Sequence, residues 1–242
     1  CAIDDIGVRC WGRNIEGQKD VPTNLVNPTT ISAEHRYTCA IDVNGVSCWG
    51  YNWGDFSAPD LVNPLAIAVG NYHTCAIDDN GVSCWGINYE GENDVPTNLV
   101  NPARISAGSM HTCAIDDNGV HCWGYNSYGQ TDVPADLVNP VAVSASDEFT
   151  CAIDDNGVHC WGYNSDGQTD VPTDLVNPKA ISTGQLHACV IDDNGVTCWG
   201  SNVHKRTDVP PHLVFNRGGL QQFDTDGDGI NNNADADDDG DG

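Results

Sequence analysis

Short runs in which apolar and polar residues alternate, set apart by turn-forming clusters, recur along this chain. In the best-preserved unit, His111 to Pro140, the runs are Thr112-Cys-Ala-Ile115 and Val120-His-Cys-Trp123, preceded by an apolar segment, Ala103-Arg-Ile-Ser-Ala107. Alternation of this kind predicts half-buried strands, and helical periodicity is absent. The intervening Asp116-Asp-Asn-Gly119 has hairpin-turn chemistry: Asn and Gly accept positive φ, and Asp bonds its own backbone. Val-Pro and Asn-Pro further along mark extended connections.

The unit occurs six times. Its Trp-Gly pairs begin at Trp11, Trp49, Trp85, Trp123, Trp161 and Trp199, a period near 38 residues broken only by a trimmed loop around Trp53 to Pro59. Units of this length with three or four short strands fit radial blades better than a stacked solenoid. The predicted fold is therefore an all-β propeller of six blades over residues 1–223. The stretch Gly219-Leu-Gln-Gln-Phe223 falls within one residue of the register of Ile31, Ile105 and Ile181, and so supplies the strand that the first blade lacks. The alternative is a seventh blade lost with a missing N-terminal segment.

All twelve cysteines fall in pairs nine positions apart: Cys1 with Cys10, Cys39 with Cys48, Cys75 with Cys84, Cys113 with Cys122, Cys151 with Cys160, and Cys189 with Cys198. A four-residue turn sets Ile115 opposite Val120 and hence Cys113 opposite Cys122, near disulfide reach in a non-hydrogen-bonded pair. Buried free thiols or zinc ligands are the alternatives, although no Cys-x-x-Cys cluster is present. One hairpin disulfide per blade is expected. Each closes a loop of roughly ten residues, worth about 2.7 kcal/mol on the chain-entropy model. Disulfides imply an oxidising compartment, so the chain is expected to be secreted, extracellular or at a cell surface.

Charge changes the picture at the C-terminus. The chain has 9 Lys and Arg against 35 Asp and Glu, a formal charge of −26. Such a surface repels nucleic acid and anionic lipid, and no apolar run approaches the length of a membrane helix. From Asp224 the sequence becomes DTDGDGINNNADADDDGDG, a separate segment over 224–242. Asp224, Asp226, Asp228, the carbonyl of Ile230, Asn232 and Asp235 stand at positions 1, 3, 5, 7, 9 and 12 of a calcium loop, with Gly229 at the turn. A second loop begins at Asp235, Asp237 and Asp239 and runs to Asp241. Ordered Ca2+ binding is the expectation, against an acidic tail that attracts ions diffusely.

The unit SAGxxHTCAIDDNGVxCWGYNxxGQTDVP resembles the repeat of the regulator-of-chromosome-condensation propeller superfamily over about residues 1–215. Within it, the likeness is to the short-repeat branch typified by the propeller-type β-lactamase inhibitor proteins. The resemblance implies a propeller, usually of seven blades, and the paired cysteines depart from it. The tail is similar to thrombospondin type 3 and dockerin-like calcium repeats, which implies a linking or anchoring role. Function does not transfer with this fold.

Positions that differ between units cluster in two loops, one ahead of the first Cys and one after Trp-Gly. Tyr37, Trp53, Tyr72, Tyr89, Tyr128 and Phe149 lie there as candidate partner contacts, against the alternative of neutral drift. His73, His111 and His187 each stand two before a Cys, where packing is expected rather than a metal ring. The repeated Asp pairs at 78/79, 116/117, 154/155 and 192/193 read first as turn residues and second as an acidic rim. An enzyme usually builds one asymmetric site, so no catalytic residue is assigned. The expected function is a calcium-binding extracellular interaction or assembly module, self-polymerisation included. The alternative is an inhibitor- or receptor-like propeller that captures another secreted protein.

Overall fold

The computed structural model describes residues 1–51 and 57–210. Among these, β1 (Ala2–Asp4) and β2 (Gly7–Arg9) form a two-stranded sheet, and five three-stranded sheets follow. They are β3–β5 (Thr30–Glu34, Tyr37–Asp42, Gly45–Gly50), β6–β8 (Ala66–Val69, His73–Asp78, Gly81–Gly86), β9–β11 (Arg104–Ala107, His111–Asp116, Gly119–Gly124), β12–β14 (Ala142–Ala145, Phe149–Asp154, Gly157–Gly162) and β15–β17 (Ala180–Thr183, His187–Asp192, Gly195–Gly200). Every pairing is antiparallel between chain neighbours, so each repeat is one blade of a six-bladed all-β propeller. No helix among the described residues is long and apolar enough to cross a membrane.

Register within the hairpins follows the turn. Ile115 pairs with Val120 and Cys113 with Cys122, and the same offset holds in the later blades. All six predicted disulfides form, with Cα atoms 4.0–4.1 Å apart. Cys39, Cys75, Cys113 and Cys151 are completely buried, so these bridges are part of the core.

The DDNG turns do more than reverse the chain. The first Asp of each is buried, and its carboxylate accepts the backbone N–H two residues on and a second N–H from the Leu-Val-Asn-Pro connection. Val26, Val62, Val100, Val138 and Val176 are the connection donors to Asp42, Asp78, Asp116, Asp154 and Asp192, at 2.7–2.8 Å. Asn63, Asn101, Asn139 and Asn177, at positive φ, donate to the second Asp of each following turn. Turn chemistry is what the sequence predicts for these Asp pairs, and the clamp on the preceding connection is an addition. Asp116→Ala, which strips acceptors from Val100, Asn118 and His121, is expected to cost about 2 kcal/mol in urea unfolding. A cost below about 0.5 kcal/mol would show that the clamp adds nothing.

Neighbouring blades are joined by a second network. The backbone carbonyl of Glu92 accepts from both Thr112 Oγ1 and Trp123 Nε1 of the next blade, and the carbonyl of Gln130 does the same for Thr150 and Trp161. Trp199 Nε1 bonds the carbonyl of Gln168. On the strand before, His73 Nε2 meets Thr112 Oγ1 at 2.7 Å and His111 Nε2 meets Thr150 Oγ1 at 2.9 Å. Both rings are fully buried, and desolvation lowers His73 to a pKa of about 4 and His111 to about 3. In the fifth blade Phe149 replaces the histidine, and the next blade answers with Ala188 in place of threonine. That apolar pair packs in one core cluster with Cys151, Val190 and Trp199.

The first strands of successive blades lie side by side, tied by Ser32, Ser106 and Ser144 hydroxyls that accept N–H groups of the next strand. A cavity shared by Glu34 of the second blade and Gly184 of the sixth shows the row curving about one axis. Among the described residues the first blade has two strands, and Trp11 is 70% exposed where its five counterparts are 7–8% exposed. The predicted closing strand, residues 219–223, lies outside the described residues.

Candidate interaction face

Both variable loop sets emerge at the same end of every blade. The residue after each Trp-Gly donates its N–H to a carbonyl in the connection between the first two strands: Tyr51 to Arg36, Ile87 to Tyr72, Tyr125 to Met110, Tyr163 to Glu148 and Ser201 to Leu186, at 2.8–2.9 Å. The DDNG turns and Leu-Val-Asn-Pro connections lie at the opposite end.

The loop after Trp-Gly is a rigid platform, built in the fourth repeat as follows. Asn126 Nδ2 donates to Asp132, Asn126 Oδ1 accepts from Thr131 N, and the buried Gln130 amide oxygen accepts from Tyr128 N. The third, fifth and sixth repeats keep the Asn-Asp part of this mesh. Positions between Asn and Gly, such as Ser127-Tyr128 and Ser165-Asp166, leave their side chains outside it, and these are the ones that differ between repeats.

Tyrosines gather on this end. Tyr128 packs edge-on against Tyr163 and Tyr125, with centroids 5.0 and 6.2 Å apart, joining two blades. Tyr72 and Tyr89 make a similar pair at 6.0 Å, and Arg36 stands over Tyr51. Tyr89 and Tyr128 are exposed and Tyr72 is partly exposed, as a contact surface requires. Tyr37 is half-buried against the core, and burial pushes its phenol up to about 12. Phe149 corrects the sequence reading: it is 0% exposed and belongs to the core, because its position opens the second strand and faces the next blade. Trp53 lies outside the described residues.

At the axis the loops form a mouth of about 210 Å³ lined by Glu34, Ser109, Ser146, Asp147 and Gln185 among others. Burial raises the pKa of Glu34, and the charge of Asp147 adds to it, against a bond from the His35 backbone. Asp147 is raised by burial, partly offset by its bond from Gln185 and the nearby His35. Glu148 is raised by burial and by Asp147. The Glu148 charge, followed by Tyr125, raises the Tyr128 phenol. From Tyr37 to Pro178 the sequence contains one Lys or Arg, Arg104, which begins a first strand at the turn end.

His73 and His111 do not form a metal ring, since each is spent on the threonine of the next blade. Among the described residues, no group of three His, Cys, Asp or Glu is placed to hold a metal ion. The predicted calcium ligands, Asp224 to Asp241, lie outside the described residues.

The regulator of chromosome condensation (RCC1) repeat matches this chain at residues 65–92, 103–130, 141–168 and 179–205. Residues 65–205 carry four repeats similar to the RCC1 repeat. Two solved structures similar to this RCC1-like propeller are the ectodomain of the receptor kinase CR4 from Physcomitrella patens and the CRINKLY WD40 ectodomain of the receptor kinase ACR4 from Arabidopsis thaliana. The first is 26% identical over 80% of this chain and 56% of its own, with a TM-score of 0.65. The second is 25% identical over 79% and 71%, also at 0.65. This chain therefore spans little more than half of the CR4 ectodomain. Prp20p from Saccharomyces cerevisiae, at 15% identity over 76% of this chain and 60% of its own with a TM-score of 0.65, shares the fold. No curated protein sequence gives a significant match. Six disulfides together with receptor ectodomains as neighbours are the marks of an extracellular interaction module.

Proposed function

We propose that this RCC1-like propeller is a secreted, calcium-binding assembly module that meets a protein partner through its loop face. The observation that carries the reading is the convergence of both variable loop sets on one end, with Tyr72, Tyr89 and Tyr128 held on hydrogen-bonded platforms. A rigid ring with variable, aromatic-bearing loops is the arrangement that recognition surfaces use. The two receptor-kinase ectodomains built on the same fold support an interaction role over an enzymatic one. Prp20p is described by its binding to Gsp1p and histones, a further protein-binding use of the fold.

In this proposal Asp224, Asp226, Asp228, Ile230, Asn232 and Asp235 hold one Ca2+, and Asp235, Asp237, Asp239 and Asp241 contribute to a second loop. Eight like charges repel without the ion, and calcium orders the tail so that it joins one subunit to the next. Residues 219–223 complete the first blade over Trp11. Size-exclusion chromatography with light scattering tests the assembly: a mass above 25.8 kDa in calcium, returning to the monomer with chelator, is expected. A monomer in both buffers would sink calcium-driven assembly. It would favour the second reading, an inhibitor- or receptor-like propeller of the β-lactamase inhibitor type, whose partner is retained with or without calcium.

A further inference from the structure

We propose that the axial mouth of the loop face is a receptor for one cationic side chain, a lysine or arginine carried by a basic polypeptide segment of the partner and entering between Glu34 and Asp147. The proposal rests on the reading of this end as the partner surface and names the chemistry it selects.

Curvature of the ring brings a carboxylate of the second blade and one of the fifth to the same cavity of about 210 Å³. A helix with its side chains is about 10 Å across, so this space suits a single long side chain rather than an element of structure. No lysine or arginine of the described residues lines this cavity, although Arg13 and Lys19 share a neighbouring one with Glu34. Arg36 is held by Glu16, 3.5 Å away, and Arg104 belongs to the turn end. Gln185 gives Asp147 a neutral donor, and His35 stands nearby.

Ser146 is the independent observation. It lines the cavity, it is 7% exposed, and its hydroxyl is buried without a hydrogen-bond partner. Three of the other repeats have glycine at this position, Gly70, Gly108 and Gly184. An acceptor oxygen left unpaired beside two carboxylates is completed by an ammonium or guanidinium group, which carries several N–H donors and no acceptor. Around the rim, the Tyr125, Tyr128 and Tyr163 cluster beside Glu148 offers ring faces to further cations of the same segment. Burial raises the pKa of Glu34 and of Asp147, with the Asp147 charge adding to it at Glu34, and a bound cation favours the ionised form of both.

The probe is a fluorescein-labelled Gly-Arg-Gly-Lys-Gly-Arg-Gly peptide, with Gln replacing each basic residue in the control, followed by anisotropy on the full chain at physiological salt. Saturable binding of the basic peptide alone is expected. It should weaken at least tenfold in Glu34→Gln with Asp147→Asn, and less than twofold in Asp136→Asn with Asp174→Asn, an equal charge change at the turn end. Gln185→Lys, an exposed substitution that sets a cation in the mouth without touching the core, should block the peptide as well. Equal weakening in both carboxylate pairs, or no saturable binding, would overturn the proposal. If the peptide fails while Tyr128→Ala still abolishes retention of a natural partner, the cationic receptor falls and the loop face as partner surface stands.

Discussion

Replacing Trp161 by alanine is expected to lower the stability of the fold by about 4 kcal/mol, the range for deleting a large buried aromatic. The indole is 8% exposed, and its Nε1 donates to the Gln130 carbonyl that also accepts from Thr150 Oγ1. The substitution therefore opens a cavity between two blades and removes one of two bonds that seat the fourth blade's loop in the fifth. Chemical unfolding read by circular dichroism checks it, and a cost under about 2 kcal/mol would mean that blades hold together without this contact. The same substitution at Trp11 reports on ring closure. Trp11 is 70% exposed among the described residues, so Trp11→Ala would cost less than about 1 kcal/mol on an open edge. If residues 219–223 close the ring as proposed, the cost in the full chain is expected to be at least about 2 kcal/mol.

The blades were legible because each rests on short-range rules. A period of two defines the strands, and a four-residue turn fixes Cys113 opposite Cys122 with no long-range information. The clamp from Asp116 to Val100 N–H was less accessible: its partners are 16 residues apart, and the DDNG turn already accounts for an Asp there. Phe149 is hard to place from sequence because it aligns with positions that vary between units, Tyr37 and His73, at the border of loop and strand. A signal was present. Ala188 is the one residue before a first Cys that is not threonine, in the blade that follows the phenylalanine. The meeting of Glu34 and Asp147 had no local signal, since ring curvature alone brings the second and fifth blades to one cavity.

Those two kinds of position divide the labour. Residues repeated in most units, the Asp of the turn, the Thr before Cys and the Trp-Gly, are consumed by hydrogen bonds within and between blades. Residues that vary either sit on the platforms, as Tyr89 and Tyr128 do, or change in matched pairs across a blade boundary, as Phe149 and Ala188 do. Variation at a blade boundary reports packing; variation on a platform is available for recognition.

The histidine form of that boundary makes the fold acid-sensitive. His73 and His111 have pKa values lowered by burial to about 4 and about 3, so the fold keeps both rings neutral where an unfolded chain takes up a proton near pH 6.5. Above that pH both states carry neutral rings and stability does not depend on them. As pH falls the unfolded chain binds protons that the fold refuses, and each ring costs about 1.4 kcal/mol per pH unit until its folded value is reached. The pair together is expected to remove about 5 kcal/mol by pH 4.5. Asp78, Asp116 and Asp154 act lower: burial alone would raise them, but backbone N–H donors outweigh it and hold them below the usual range. Their contribution persists down to about pH 4 and is lost beneath it as the folded values are crossed. Glu34 and Asp147, raised by burial, work against the histidines at the acid end of this window by taking up protons more readily in the fold. Urea midpoints from pH 7 to 4.5 read the slope. His111→Phe with Thr150→Ala copies the Phe149 and Ala188 pair, carries its own pH-independent cost, and should reduce the acid slope by roughly half. An unchanged slope in that variant would assign acid sensitivity to other groups and reduce the His-Thr contacts to packing.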